Sequence, residues 1–159
     1  MFKAFVSYST HDLKNVAELQ QSLVGTGVEV FVAEHSVIPS EPLPEKISSA
    51  IAACDLFVLL WSTNAKNSEW VSQEIGKAHS LNKQILPLVL TEGLTLPGFI
   101  NGLKYLPVYQ NPAAAIQQAR TIVVDRFNAK RTEIEKQKQS EALALLGLGA
   151  LFLWAISQK

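Results

Sequence analysis

A single cysteine, Cys54, stands in the 159 residues. One thiol excludes an internal disulfide framework and fits a reducing compartment. Its neighbours Ala52, Ala53 and Leu56 are apolar, which marks it as a small buried filler rather than a nucleophile. An excess of charge of one sign is missing too: 14 basic residues balance 14 acidic ones, for a formal net charge of zero. No nucleic-acid footprint is therefore expected, since that requires a basic excess on one face. Histidine is scarce and scattered. His11, His35 and His79 lack companions at metal-ligand spacing, so no metal site is expected. No basic head followed by an apolar stretch opens the chain, and the body is expected to stay in the cytosol.

What is present is a regular alternation of apolar runs and amphipathic stretches. Residues 2–8 read as a buried strand ending in the polar turn Ser7-Tyr8-Ser9-Thr10. Ser9 or Thr10 caps a helix that runs to about Gly25, where Gly25-Thr26-Gly27 stops it. Residues 28–32 form a second strand, and the proline-broken segment 36–44 suits neither helix nor strand. A short helix over 45–53 leads to a third strand at 56–61. Asn67 or Ser68 caps the next helix, and a fourth strand covers 84–90. Pro87 inside that strand suggests a sheet edge or a strand end. A short fifth strand is expected at 103–106. Strands alternating with helices at this pace imply an α/β fold with a parallel sheet and helices on both faces. Clefts in such folds open at the carboxyl ends of the strands, where 7–10, 33–36 and 62–68 all fall.

Trp70 and Glu74 lie four residues apart on the helix before the fourth strand, hence on one face and about one turn apart. That spacing sets a carboxylate beside an aromatic surface, as a site must to hold a flat ring and stabilise a cation. It equally fits an ordinary helix on which Glu74 pairs with Lys77 at i+3 and Trp70 simply packs. Ser7, Tyr8 and Ser9 likewise fit either ligand contact or turn formation and capping.

The tail has its own character. A long helix is expected from Pro112 to about Gln139, charged over 126–140, followed by 15 uncharged and mostly apolar residues at 142–156. As a helix this run spans about 22 Å against the roughly 30 Å of a bilayer core. Flanking Ser140, Ser157 and Lys159 extend it, Trp154 sits near one end, and Arg126, Lys130, Arg131, Lys136 and Lys138 precede it. The expectation is a single-pass membrane helix at 141–157 with the body on the cytoplasmic side of the cell membrane. The alternative is a hydrophobic helix buried in an oligomer.

The pieces Phe5-Val6-Ser7-Tyr8-Ser9, Val28-Glu29-Val30-Phe31-Val32, 51–62 and 68–75 resemble, in order and spacing, the boxes of a Toll/interleukin-1 receptor (TIR) domain. The resemblance covers about residues 2–125 and implies a flavodoxin-like sheet of five parallel strands. The segment 68–75 resembles the helix that carries the catalytic glutamate in bacterial-type, NAD-cleaving members. It implies Glu74 as the catalytic residue, NAD+ as substrate rather than a bound cofactor, and Ser7, Tyr8, Ser9, Thr10, Glu34 and Trp70 around it. Where the family commonly has an aspartate after the second strand, this chain has Ala33 followed by Glu34, which makes Glu34 the candidate ribose contact. The resemblance further implies TIR–TIR self-association through 36–44, an effector that senses the nucleotide product, and a role in immune defence. A non-enzymatic adaptor working by TIR–TIR assembly is the other function the family offers. A phosphoryl-accepting receiver, whose sheet is similar, is excluded by Ser7 and Ser62 standing where clustered aspartates are needed.

Overall fold

The computed structural model describes residues 1–33 and 44–157. They fall into two compact units, Met1–Val124 and Asp125–Lys159. In the first, five strands make one parallel sheet: β1 (Lys3–Ser7), β2 (Glu29–Val32), β3 (Leu56–Trp61), β4 (Ile85–Val89) and β5 (Leu106–Pro107), in the order β2-β1-β3-β4-β5. Helices α1 (Leu13–Leu23), α2 (Glu45–Ala53), α3 (Thr63–Lys66), α4 (Glu69–Ser80) and α5 (Pro112–Ser157) connect and follow them.

The sheet is buried on both faces because its strands are apolar at consecutive positions, as a parallel sheet between helices requires. Every residue of β3 is buried. One face carries Phe5, Phe57, Leu59, Trp61 and Val89, covered by Ile47 and Ile51 of α2 and by Val71, Ile75 and Ala78 of α4. The alternate residues Ala4, Val6, Val58, Leu60 and Leu88 are buried on the other face. There α1 contributes Val16, Leu19 and Leu23, and the start of α5 contributes Ala115, Ile116, Ala119 and Val123. Arg120 ties these two helices by donating from Nε to the Ser22 carbonyl at 2.7 Å.

Register is fixed at the centre by three phenylalanines. Phe5 faces Phe31 on one side and Phe57 on the other, with ring centroids 5.4 and 5.3 Å apart and nearly parallel planes. A slip of one residue would turn all three rings to the opposite face.

The sequence reading holds for the five-stranded parallel sheet, for α2 and β3 at the residues expected and for the Ser68 cap of α4, and is corrected at other points. The stretch after β1 opens with a 3-10 turn, Thr10–Asp12, before α1 begins. Strand β5 lies at Leu106–Pro107 rather than 103–106. Strand β4 is not an edge, since it lies between β3 and β5. Pro87 is tolerated there for a local reason. Leu90 donates to Trp61 and Gln84 accepts from Phe57 on the β3 side, whereas Val89 accepts from Tyr109 on the other. Alternation thus turns the Pro87 nitrogen away from β3, and β5 pairs only from Leu88 onward.

The second unit is the rest of α5. Arg131 and Glu135 pair at 3.0 Å and Gln137 donates to Glu141 at 3.0 Å, both one turn apart. Beyond them Leu143, Leu145, Leu146, Leu148, Leu151, Phe152, Leu153, Trp154 and Ile156 are exposed. The expectation of a membrane-spanning segment at 141–157, and of single-pass localisation at the cell membrane, is overturned. Among the described residues no helix is long and apolar enough to cross a membrane. The physical reason lies in the length: 15 apolar residues fall about 8 Å short of a bilayer core, and any N-terminal extension takes in Glu141, Lys138 and Lys136.

The aromatic stack generates the first prediction. Phe5→Ala removes the middle ring from a fully buried position and is expected to cost about 3–5 kcal/mol. Urea denaturation followed by far-UV circular dichroism measures it; a loss below about 1 kcal/mol would mean that the stack does not hold the sheet.

Candidate active site

In a β2-β1-β3-β4-β5 sheet the chain leaves β1 toward one side and β3 toward the other, so a crevice opens between their carboxyl ends. Two rim contacts lace that point. Ser62, just after β3, donates from Oγ to Asp12 Oδ2 at 2.5 Å and accepts from the Ala65 amide at 3.0 Å. It therefore caps α3 while binding the turn that follows β1. Trp61 donates from Nε1 to the Thr95 carbonyl at 3.0 Å and pins the loop after β4 to the end of β3. Asp12 and Ser62 were not among the site residues expected from sequence. The signal available was their place, each in the turn that leaves a strand at the switch point.

Helix α4 starts where Ser68 accepts from the Val71 amide at 3.3 Å. Its inward stripe is Val71, Glu74, Ile75 and Ala78, the i, i+3, i+4, i+7 set that normally is apolar throughout. Glu74 breaks that rule. It is 0% exposed, as is Ser7 at the last position of β1. Ser7 Oγ donates to Glu74 Oε2 at 2.5 Å, across 67 residues of sequence. Burial removes water from the carboxyl and pushes its pKa up, and the Ser7 hydroxyl acts in the opposite direction by favouring the ionised form. Burial is the larger effect, and the pKa is pushed up to about 8. Glu74 is thus a fully buried group rather than one of an exposed ion pair with Lys77.

The other expected site residues are distributed around this pair. Tyr8 and Ser9 are buried, and Ser9 caps the 3-10 turn by accepting from the His11 amide at 3.4 Å. Thr10 is exposed at the start of that turn. Trp70 is half-buried in the first turn of α4, one turn before Glu74. Ala33 is buried. Glu34 and nearly all of the proline-broken segment, 34–43, lie outside the described residues. What the structure brings together is therefore Ser7 with Glu74 at the switch point, beside the turn of Tyr8, Ser9 and Thr10.

A buried carboxyl with so high a pKa links stability to pH. The folded value lies above the ordinary 4.5, so the native state holds a proton that the unfolded chain releases. The contribution is complete below pH 4.5 and is lost as pH rises through about 8. Unfolding free energy of the wild type, relative to Glu74→Gln, is expected to fall across that window with a slope approaching about 1.4 kcal/mol per pH unit. Denaturant titrations of both proteins at intervals from pH 4.5 to 8.5 measure it, and parallel curves would rule out the buried proton.

Comparison with known proteins places the arrangement. A family model described as "TIR domain" matches residues 4–123. Human Toll-like receptor 1 is 33% identical over 81 residues, which are 49% of this chain and 10% of the receptor; the chain thus spans about a tenth of that relative's length. The TIR domain of a Toll-related receptor from Hydra magnipapillata superposes with a TM-score of 0.55 at 22% identity, covering 74% of this chain and 99% of that one. A CMP N-glycosidase from Clostridium botulinum superposes at 0.57 with 20% identity over 76% of this chain and 98% of its own. A flavodoxin-like domain from Synechococcus reaches 0.55 at 18% identity, over 82% and 98%. At these identities the solved structures speak for the fold alone, and the family match, over most of the chain, speaks for descent: the protein belongs to the TIR domain family.

Proposed function

We infer that this TIR domain cleaves the bond between nicotinamide and ribose in NAD+, with Glu74 as the catalytic carboxylate. The observation that carries the reading is a fully buried glutamate on the inward stripe of α4, held at the carboxyl end of β1. An acidic group in that stripe is costly to the fold, so a chemical use is the economical account of it. The same fold serves a protein whose name is CMP N-glycosidase, an enzyme of N-glycosidic bonds.

The reaction asks for little. As the bond breaks, its electron pair stays on the nicotinamide nitrogen and neutralises the ring, so no general acid is required. Positive charge develops on the ribose, as in glycoside hydrolysis. A carboxylate beside the sugar stabilises that charge and accepts hydrogen bonds from its hydroxyls. Glu74 takes this role once ionised, and the cationic ring of the substrate favours ionisation by lowering its pKa. Trp70, half-buried one turn away, offers a flat surface for the departing ring. Water then gives ADP-ribose, whereas an internal nucleophile gives a cyclic product. Because Glu74 is covered in this structure, contact with ribose includes an opening of the rim. Assembly of several TIR domains, with a neighbour completing the cleft, supplies that step, and a downstream effector reads the nucleotide product in a defence response.

The same burial favours one other reading, a non-enzymatic adaptor in which Glu74 is a structural element and the domain acts by assembly. The experiment that separates them is nicotinamide release from NAD+, with mass spectrometry of the nucleotide, for wild type and Glu74→Ala at high density. Enzymatic use predicts that Glu74→Ala loses about two to three orders of magnitude in rate. Equal turnover by both proteins removes Glu74 from the chemistry, and no turnover by assembled wild type supports the adaptor.

A further inference from the structure

The hydrogen bond between β1 and α4 has two ends of different character. At one end Glu74 has a long side chain that must be told where to point. At the other Ser7 stands on a strand that cannot move. Phe5, two residues earlier on the same face, is locked in the phenylalanine stack, and Ser7 itself is in register with Leu59 of β3. Helix α4 is held as firmly, through buried Val71, Ile75 and Ala78. Packing therefore fixes both backbones, and the only soft parts left are the glutamate torsions and the hydroxyl rotor. A serine at the end of Lys-Ala-Phe-Val-Ser is also the sole polar side chain among the buried residues of that strand.

We propose that Ser7 is the positioning residue for Glu74: its hydroxyl aims the carboxyl group at the carboxyl end of β1 and holds it ready at the switch point. In this role Ser7 acts through Glu74 rather than on the substrate. This replaces the ligand contact expected of Ser7 from sequence. A hydroxyl donating to a carboxylate makes a charge-assisted bond, so the same contact that orients Glu74 also favours its ionised form. The charged and titratable side chains of the elements packed around Glu74 are Lys3, Glu45, Lys46, Lys66, Glu69, Lys77 and His79, and the named influences on its ionisation are burial, which raises the pKa, and the Ser7 bond, which lowers it. The inference rests on Glu74 being the working carboxylate, and its test is arranged to fail separately from that reading.

The full-length chain, labelled with 13C at glutamate, is titrated by NMR as wild type, Ser7→Ala and Ser7→Thr, with Glu74→Gln identifying the Glu74 resonance. The Glu74 midpoint is expected to rise in Ser7→Ala and to stay at the wild-type position in Ser7→Thr, which keeps a hydroxyl. An unchanged midpoint in Ser7→Ala overturns the proposal. Nicotinamide release is measured on the same proteins. Ser7→Ala is expected to lose about tenfold in kcat at pH 7, the fraction ionised falling tenfold for each unit the midpoint rises, with KM unchanged and the loss shrinking as pH rises. An equal loss at every pH, or a loss carried by KM, means a merely structural serine. A wild type that releases no nicotinamide defeats the enzymatic reading, and the titration then decides the role of Ser7 by itself. Should Ser7→Ala not fold, Ser7→Cys, a weaker donor of similar shape, is titrated in its place with the same two outcomes.

Discussion

A carboxyl group taken wholly out of water sets the terms for the middle of this domain. Glu74 occupies a position in the inward stripe of α4 where a leucine or valine would pack at no cost. The structure accommodates it by keeping it close to neutral and by giving it the hydroxyl of Ser7. The elements that carry that contact are tightly packed. The phenylalanine stack holds β1 against β2 and β3, the α4 stripe holds the helix against the sheet, and Ser62 with Asp12 closes the rim between β1 and β3. A buried acid tolerated only in such surroundings is a poised group, since small changes in its access to water change its charge.

That poise links the two readings of the domain. As a resting adaptor, the chain gains from a glutamate that stays protonated and covered. As an enzyme it needs the same glutamate ionised and in contact with a sugar. The two states differ by one proton and by the exposure of one side chain, so a single fold serves both if something opens the rim. A partner that binds only the open form would shift the balance in proportion to its preference for that form.

The sequence carried the framework because its signals are local. Strand β3 is six consecutive apolar residues, and α2 has its apolar positions at helical spacing after Pro44; both stand where the pattern places them. The four-residue α3 was missed because Thr63–Lys66 is too short for any periodicity. Strand β5 was placed early because Leu103 and Tyr105 alternate as a strand would, yet both side chains are exposed and only Leu106 turns inward. The tail was overread, its composition suggesting a span that its length does not supply. At the site, Glu74 was legible one turn after Trp70 on a helix that begins at the rim, and in the resemblance of 68–75. Ser7 was expected near it, but the bond between them was not legible, because two strands and three α-helices lie between the two residues.

The far side of the sheet bears on how copies of this chain can meet. Strand β5 has two residues, and the second is a proline. An outer strand so short, with one of its two nitrogens unable to donate, offers almost no backbone ladder for an incoming strand to extend. Polymers grown by continuing the sheet across that border are therefore disfavoured from the start. Assembly across that border must be built from side-chain surfaces, which can be made and unmade without the near-irreversibility of a stacked β-fibril.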